Sequence, residues 1–208
     1  MLYAYPTGID DKLIDKIAGS EKIVHYLDIP LQHINNEILK SMRRPDTKER
    51  IVDLIGRLRA AMPDVVLRTT LIVGFPGETD EQFDELVEFV EWAKFDALGC
   101  FIFYPEPGTK AAEMSEQVPE EIKDQRRDTL MLKQQQIAFR RNSERIGGKF
   151  RCLVDWTDGD GTGIGRFYGQ APEVDSICSI TNCSAGSGQI IDVKVVAAEE
   201  YDLIVEQI

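Results

Sequence analysis

Apolar residues recur along the first two thirds of the chain in two alternating rhythms. Leu13, Ile14 and Ile17 share one face of a helix over Asp10–Ala18, which Gly19 ends. Ile23–Ile29 reads as a strand, and Asn35 or Asn36 can cap a short helix running to Met42. Ile51, Leu54, Ile55 and Leu58 keep the i, i+3, i+4, i+7 spacing of a helix that opens at Pro45-Asp46-Thr47 and ends at Pro63. Asp46 with Glu49 has capping-box spacing, and so does Thr79 with Gln82, just ahead of the stripe Phe83, Leu86, Val87 and Val90. Between these helices lie the near-continuous apolar runs Val65–Val73 and Leu98–Tyr104, the pattern of strands buried on both faces. A short strand over Leu2–Pro6 leads the series. Strand and helix in alternation predict a parallel sheet with crossover helices. About four strands fall short of a closed eight-stranded barrel, which takes roughly 250 residues. The region is therefore an open sheet or a piece of a larger barrel that starts abruptly.

The rhythm changes after a long helix that starts at Pro119, runs to about Ile146 and stops at Gly147-Gly148. Phe150–Trp156, Gly163–Tyr168, Ser176–Thr181, Gln189–Ala197 and Tyr201–Gln207 are short alternating runs separated by Gly and Asp, with Asp158-Gly159 a hairpin signal. Five short strands in so little chain predict a small antiparallel barrel. The expected division is 1–147 and 148–208.

Charge and cysteine usage narrow the function. The 208 residues carry 36 acidic and 24 basic side chains, a net −12. Residues 148–208 hold four basic and ten acidic residues, a net −6, and the remainder also carries −6. A small barrel that grips RNA should be basic, because phosphate contacts dominate such binding. This one should repel RNA, and its acidic surface either attracts a basic protein or serves solubility alone. No apolar run approaches the ~20 residues of a membrane helix, and the N-terminus has no signal-peptide pattern. Cys100, Cys152, Cys178 and Cys183 never stand two or three residues apart, so neither a Cys-x3-Cys-x2-Cys cluster site nor a Cys-x2-Cys zinc pair is present. A cytoplasmic location with reduced thiols is expected. Two histidines, His25 and His33, make no metal cluster, and His25 reads as structural.

The most informative stretch is Thr70-Leu71-Ile72-Val73-Gly74-Phe75-Pro76-Gly77-Glu78-Thr79. A buried strand runs into a glycine turn and a capped helix. Ligands of α/β folds sit at such strand ends, and Gly74 lets a flat ligand approach the backbone. A plain tight turn between strand and helix accounts for the same residues. Gln32 and His33 just past a strand end either line a pocket or cap the next helix. Arg68 in an apolar strand needs a partner.

Taken together, Ile72–Thr79, Tyr26-Leu27-Asp28-Ile29-Pro30-Leu31-Gln32-His33, Ser41-Met42-Arg43-Arg44-Pro45, Leu67–Thr70 and Gly99–Tyr104 resemble segments of radical-SAM methylthiotransferases. Ile164-Gly165-Arg166, Gln170–Asp175 and Glu199–Leu203 match the ribosomal-protein branch better than the tRNA branch. The resemblance covers essentially the whole chain. It implies the third to sixth strands of a partial, TIM-like radical-SAM barrel, followed by a TRAM domain, an OB-like antiparallel barrel. It implies S-adenosylmethionine as cofactor, seated with help from Gln32, Arg68, Gly74 and Glu78. Arg68 can meet its carboxylate or pair with an acid such as Asp28. Glu78 orients the turn or caps the helix. Complete family members hold two 4Fe-4S clusters on cysteines this chain does not possess, so no residue here is assigned to catalysis or metal. The implied reaction adds a methylthio group to an aspartate β-carbon of a basic small-subunit ribosomal protein, with this chain inactive alone. The alternatives are a tRNA adenosine substrate and a non-catalytic scaffold that binds a ribosomal protein. An incomplete barrel also predicts self-association through the edge at Leu2–Tyr5.

Overall fold

The computed structural model describes residues 1–208. Its contacts divide into two compact units, Met1–Ile137 and Ala138–Ile208.

The first unit is built on a parallel sheet of β1 (Tyr26–Asp28), β2 (Val66–Val73) and β3 (Ala97–Ile102), in that order. Helices α1 (Asp11–Ala18), α2 (Asn36–Ser41), α3 (Lys48–Ala61), α4 (Asp80–Ala93) and the first part of α5 (Glu120–Glu144) accompany it. Leu67, Leu71 and Val73 of β2 are buried in a core that includes Ile51, Leu54 and Leu58 of α3 and Leu86 and Val90 of α4. Alternation along β2 leaves Arg68, Thr70 and Ile72 half-buried on the opposite face. The register sets Thr70 beside Gly99 and Ile72 beside Phe101.

Caps follow local chemistry. Asp10 accepts from Leu13 N at 2.8 Å, and Asn35 accepts from Glu37 N and Ile38 N. Thr79 and Gln82 form the expected capping box. At α3 the cap is Thr47, one residue later than the pair predicted at Asp46 and Glu49. Asp46 is buried with its Oδ1 unpaired, and the Thr47 hydroxyl accepts from Arg50 N in its place.

The leading strand expected at Leu2–Pro6 does not form. Ala4 N donates to Asp28 O and Asp28 N to Met1 O, so the segment runs beside β1. Tyr3 has φ 56°, which breaks the ladder, and Pro6, with no N–H to give, opens a 3-10 turn at Pro6–Gly8. The sheet therefore has three strands, and β1 is shorter than the Ile23–Ile29 run.

The second unit starts inside α5. Asn142 Nδ2 donates to Tyr201 O at 2.9 Å, and the Phe139 and Tyr201 rings meet edge-on at 5.2 Å. β4 (Lys149–Thr157), β5 (Thr162–Phe167), β6 (Cys178–Thr181), β7 (Ile190–Glu199) and β8 (Asp202–Gln207) close into a barrel ordered β4-β5-β6-β8-β7. It is not wholly antiparallel, because β6 pairs β8 in parallel. Strand direction cannot alternate around a ring of five, so at least one parallel seam is required. Cys152, Val154, Phe167, Cys178, Ile180, Val193, Val195, Leu203 and Val205 fill the interior. Gly165 is obligatory in this packing: a Cβ there would lie 2.4 Å from Leu153 O and 2.8 Å from Cys152 Sγ.

Candidate functional site

β2 ends at Val73, and Gly74 turns the chain with φ 72°. A Cβ at Gly74 would lie 2.3 Å from Lys123 Cγ, so only glycine fits. The Glu78 side chain folds back beneath this turn. Its Oε2 accepts from Gly74 N at 2.6 Å and Phe75 N at 3.2 Å. Arg126 of α5 donates to Glu78 Oε1 at 3.2 Å, to Glu78 O at 3.0 Å and to Asp80 Oδ1 at 2.6 Å. Burial pushes the Glu78 carboxyl above its ordinary value, while the Arg126 charge and the two amides pull the other way. With this set of donors the carboxylate is the bound form.

His33 lies against the same cluster and is wholly buried. Its Nδ1 accepts from Asn35 N at 3.0 Å, which places the ring proton on Nε2, and Nε2 stands unpartnered 3.8 Å from Glu78 Oε2. Desolvation lowers its pKa to about 4, so the ring is neutral near pH 7. Around it Asn35 Nδ2 and Lys48 Nζ both reach the Glu85 carboxylate, at 2.6 and 2.7 Å.

On the other face of the sheet, Thr70, Ile72, Gly99 and the exposed Phe101 form a shallow surface that β2 and β3 share. At Gly99 the nearest atoms to an added Cβ are Phe101 Cε2 at 3.7 Å and Thr70 Oγ1 at 3.9 Å. A flat, partly apolar group with a polar rim fits such a surface, with Gly74 at its end. The cluster holds no poised acid or nucleophile. His33 is sealed and neutral, and burial, with the Glu78 charge, pushes the Cys100 thiol up to about 12. The chemistry of the site is binding and positioning.

The four residues singled out for the cofactor do not converge. Gly74 and Glu78 meet directly. Gln32 lies beside Leu71, three residues before Gly74: its N donates to Thr70 O and its carbonyl accepts from Ile72 N, with φ 70°. Arg68 stands six residues before Gly74 on the same strand, about 20 Å away at the rise of an extended chain. It donates to Asp28 Oδ1 at 3.3 Å.

Two side chains that pack on this turn escaped the sequence reading, Lys123 and Arg126. They lie on one stripe of α5 with Leu130, Gln134 and Ile137, all buried. Three members of that stripe are charged or polar, so a search for apolar spacing passes over it. The signal was the 3-4 spacing of the two cations with Leu130 and Ile137 in an otherwise solvated helix.

Comparison with known proteins places the chain by its two domains. Residues 2–90 match the radical SAM superfamily and residues 146–208 match the TRAM domain. The chain thus carries part of a radical-SAM domain followed by a TRAM barrel. The coproporphyrinogen III oxidase HemN of Escherichia coli, a radical SAM enzyme, shares the fold with a TM-score of 0.52 at 16% identity, over 80% of this chain and 44% of that one.

Within the superfamily the chain is similar to proteins named ribosomal protein uS12 methylthiotransferase RimO. It is 46% identical to that of Natranaerobius thermophilus over 208 residues, which is 99% of this chain and 47% of the relative. It is 44% identical to that of Geobacter sulfurreducens, over 99% of this chain and 46% of the relative. The chain thus spans about half the length of the curated relatives it matches.

Proposed function

We propose that this chain is the cofactor-cradling and substrate-docking part of a radical-SAM methylthiotransferase that modifies an aspartate β-carbon of ribosomal protein uS12. The names of the relatives support the reaction and substrate. The net −6 over residues 148–208 carries the choice of a basic protein over tRNA. No helix is long and apolar enough to cross a membrane, and we place the enzyme in the cytoplasm with its ribosomal substrate.

When bound, S-adenosylmethionine supplies the hydrogen-abstracting radical, and iron–sulfur clusters supply the electron and the sulfur. The adenosyl group fits the residues present: Thr70, Ile72 and Gly99 offer it a surface, Gly74 admits it to the backbone, and Gln32 lines its edge. Glu78 supports the turn from behind. Arg68 we assign to the Asp28 pair, not to the ligand. Clusters do not fit this chain. No group of three or more His, Cys, Asp or Glu side chains is arranged to hold a metal ion. Cys100 lies in β3, and the other three cysteines are buried in the barrel. No step is assigned to a cluster here, and the chain by itself is not expected to turn over.

Fluorescence anisotropy with labelled uS12 and labelled tRNA tests the substrate choice. At about 0.15 M salt the chain should bind uS12, weakening as salt rises, and should leave tRNA free. Binding of tRNA with no affinity for uS12 would reverse the assignment in favour of tRNA adenosine. Binding of uS12 that persists when the intact protein shows no transferase activity would favour the scaffold reading.

A further inference from the structure

Helix α5 carries many charged side chains, yet two of its cations are withdrawn from water at one place. Lys123 is 2% exposed and Arg126 is 6% exposed. Burying cations is costly unless they are paired; the Arg126 charge is paired at the Gly74–Glu78 turn, and the Lys123 stem packs against it.

Arg126 holds Glu78 by its main-chain carbonyl and its Oε1, while Oε2 of the same carboxylate holds the amides of Gly74 and Phe75. The guanidinium thus sets the orientation of two backbone amides it never touches. Lys123 works by volume. Its Cγ, Cβ and Cδ lie 2.3, 3.1 and 3.1 Å from where a Gly74 Cβ would stand, so the alkyl stem fills the notch that glycine leaves. The ammonium continues past it to Glu120 Oε1 at 2.7 Å and over the Phe103 ring at 5.7 Å, and Phe103 packs edge-on against Phe75 at 5.1 Å. One side of Gly74 is therefore closed by α5. The side away from Lys123 is the one left for a ligand.

We propose that Arg126 and Lys123 are positioning residues for the cofactor: Arg126 orients the Gly74 and Phe75 amides through Glu78, and Lys123 backs Gly74 so that an adenosyl group can enter from the uncovered sheet face alone. The inference rests on the cofactor reading above. Neither residue touches the reacting atoms. Their role is to keep rigid a turn that would otherwise order itself at the expense of binding.

The test pairs amide hydrogen exchange with S-adenosylhomocysteine binding in the 208-residue chain. In Arg126→Gln the Gly74 and Phe75 amides should exchange about 10- to 100-fold faster, the factor set by loss of a buried charge-assisted hydrogen bond. The reference amides Ile72 and Phe103, bonded to Gln32 O and Val73 O, should keep their rates. Lys123→Ala should likewise accelerate Gly74, and Lys123→Met, which retains the stem, should restore it. The S-adenosylhomocysteine Kd should rise about 10-fold or more in Arg126→Gln and Lys123→Ala, and return toward the parent value in Lys123→Met. Arg126→Lys, which keeps charge without the fork, should fall between parent and Gln. Unchanged exchange at Gly74 and Phe75, or acceleration shared equally by the reference amides, would overturn the positioning role. Failure of the parent chain to bind S-adenosylhomocysteine, with the local exchange effect intact, would overturn the cofactor reading and with it the link of these two residues to the cofactor.

Discussion

Gly74→Ala is the most informative single substitution. Two costs add at that position. An L-residue held at φ 72° is in the left-handed region, at about 1–2 kcal/mol. The new Cβ also meets Lys123 Cγ at 2.3 Å. The obstacle is the stem of a buried side chain anchored on α5, so it cannot swing aside as a free end would, and overpacking of this kind costs about 1–3 kcal/mol. The sum is roughly 2–5 kcal/mol, readable as a fall in the urea midpoint with unchanged m-value. A double-mutant cycle separates the two parts. Combining Gly74→Ala with Lys123→Ala removes the 2.3 Å collision, leaves a tight 3.1 Å approach to Cβ and keeps the backbone strain, so the coupling energy should be about 1–3 kcal/mol. A cost below about 1 kcal/mol for Gly74→Ala, or a cycle with no coupling, would refute the close packing of α5 on this turn.

Other consequences are as direct. The depressed pKa of His33 means that the unfolded chain binds a proton the folded chain refuses, so its contribution is present above the ordinary histidine pKa near 6.5 and is lost as pH falls toward about 4. Between pH 6.5 and 5 the parent should lose about 2 kcal/mol more than His33→Gln, measured by urea unfolding; equal losses would refute it. Gly165→Ala should destabilise the barrel by about 3 kcal/mol, since its Cβ meets Leu153 O at 2.4 Å. Gly186→Ala, with nothing nearer than 4.0 Å, should change stability by less than about 0.5 kcal/mol, both read by urea unfolding. Leu2, Tyr3 and Tyr5 are exposed beside the β1 edge. Sedimentation velocity should show concentration-dependent self-association that Leu2→Lys with Tyr3→Lys suppresses, and a parent that stays monomeric at high concentration would exclude it.

Much of the architecture was legible because burial and spacing coincide. Val66–Val73 is apolar on the core face and tolerant on the other, so both its strand character and its end at Gly74 show in the residues. The Thr79–Gln82 box announced α4 because the reciprocal bonds lie within one turn of chain. Leu2–Pro6 misled for the opposite reason: its residues favour extension, yet Tyr3 turns positive in φ and Pro6 gives no amide, which composition alone conceals. Asp46 lost the cap of α3 to Thr47 because neighbouring oxygens compete and packing decides. Arg68 needed a partner, and residue type could not show that the register of β1 on β2 brings Asp28 beside it. Arg126 and Lys123 stayed hidden because a buried charge looks like a solvated one until its acceptors, more than 40 residues away for Arg126, are placed beside it.

The central claim is that the Gly74 end of β2 receives an adenosyl group. Titration of the isotopically labelled chain with S-adenosylhomocysteine, followed by amide chemical shifts, tests it most directly. The account predicts saturable shifts at Thr70, Ile72, Gly74, Phe75 and Gly99, with Asp28 and Arg68 unmoved. Shifts confined to the Asp28–Arg68 end, or none up to millimolar ligand, would contradict it.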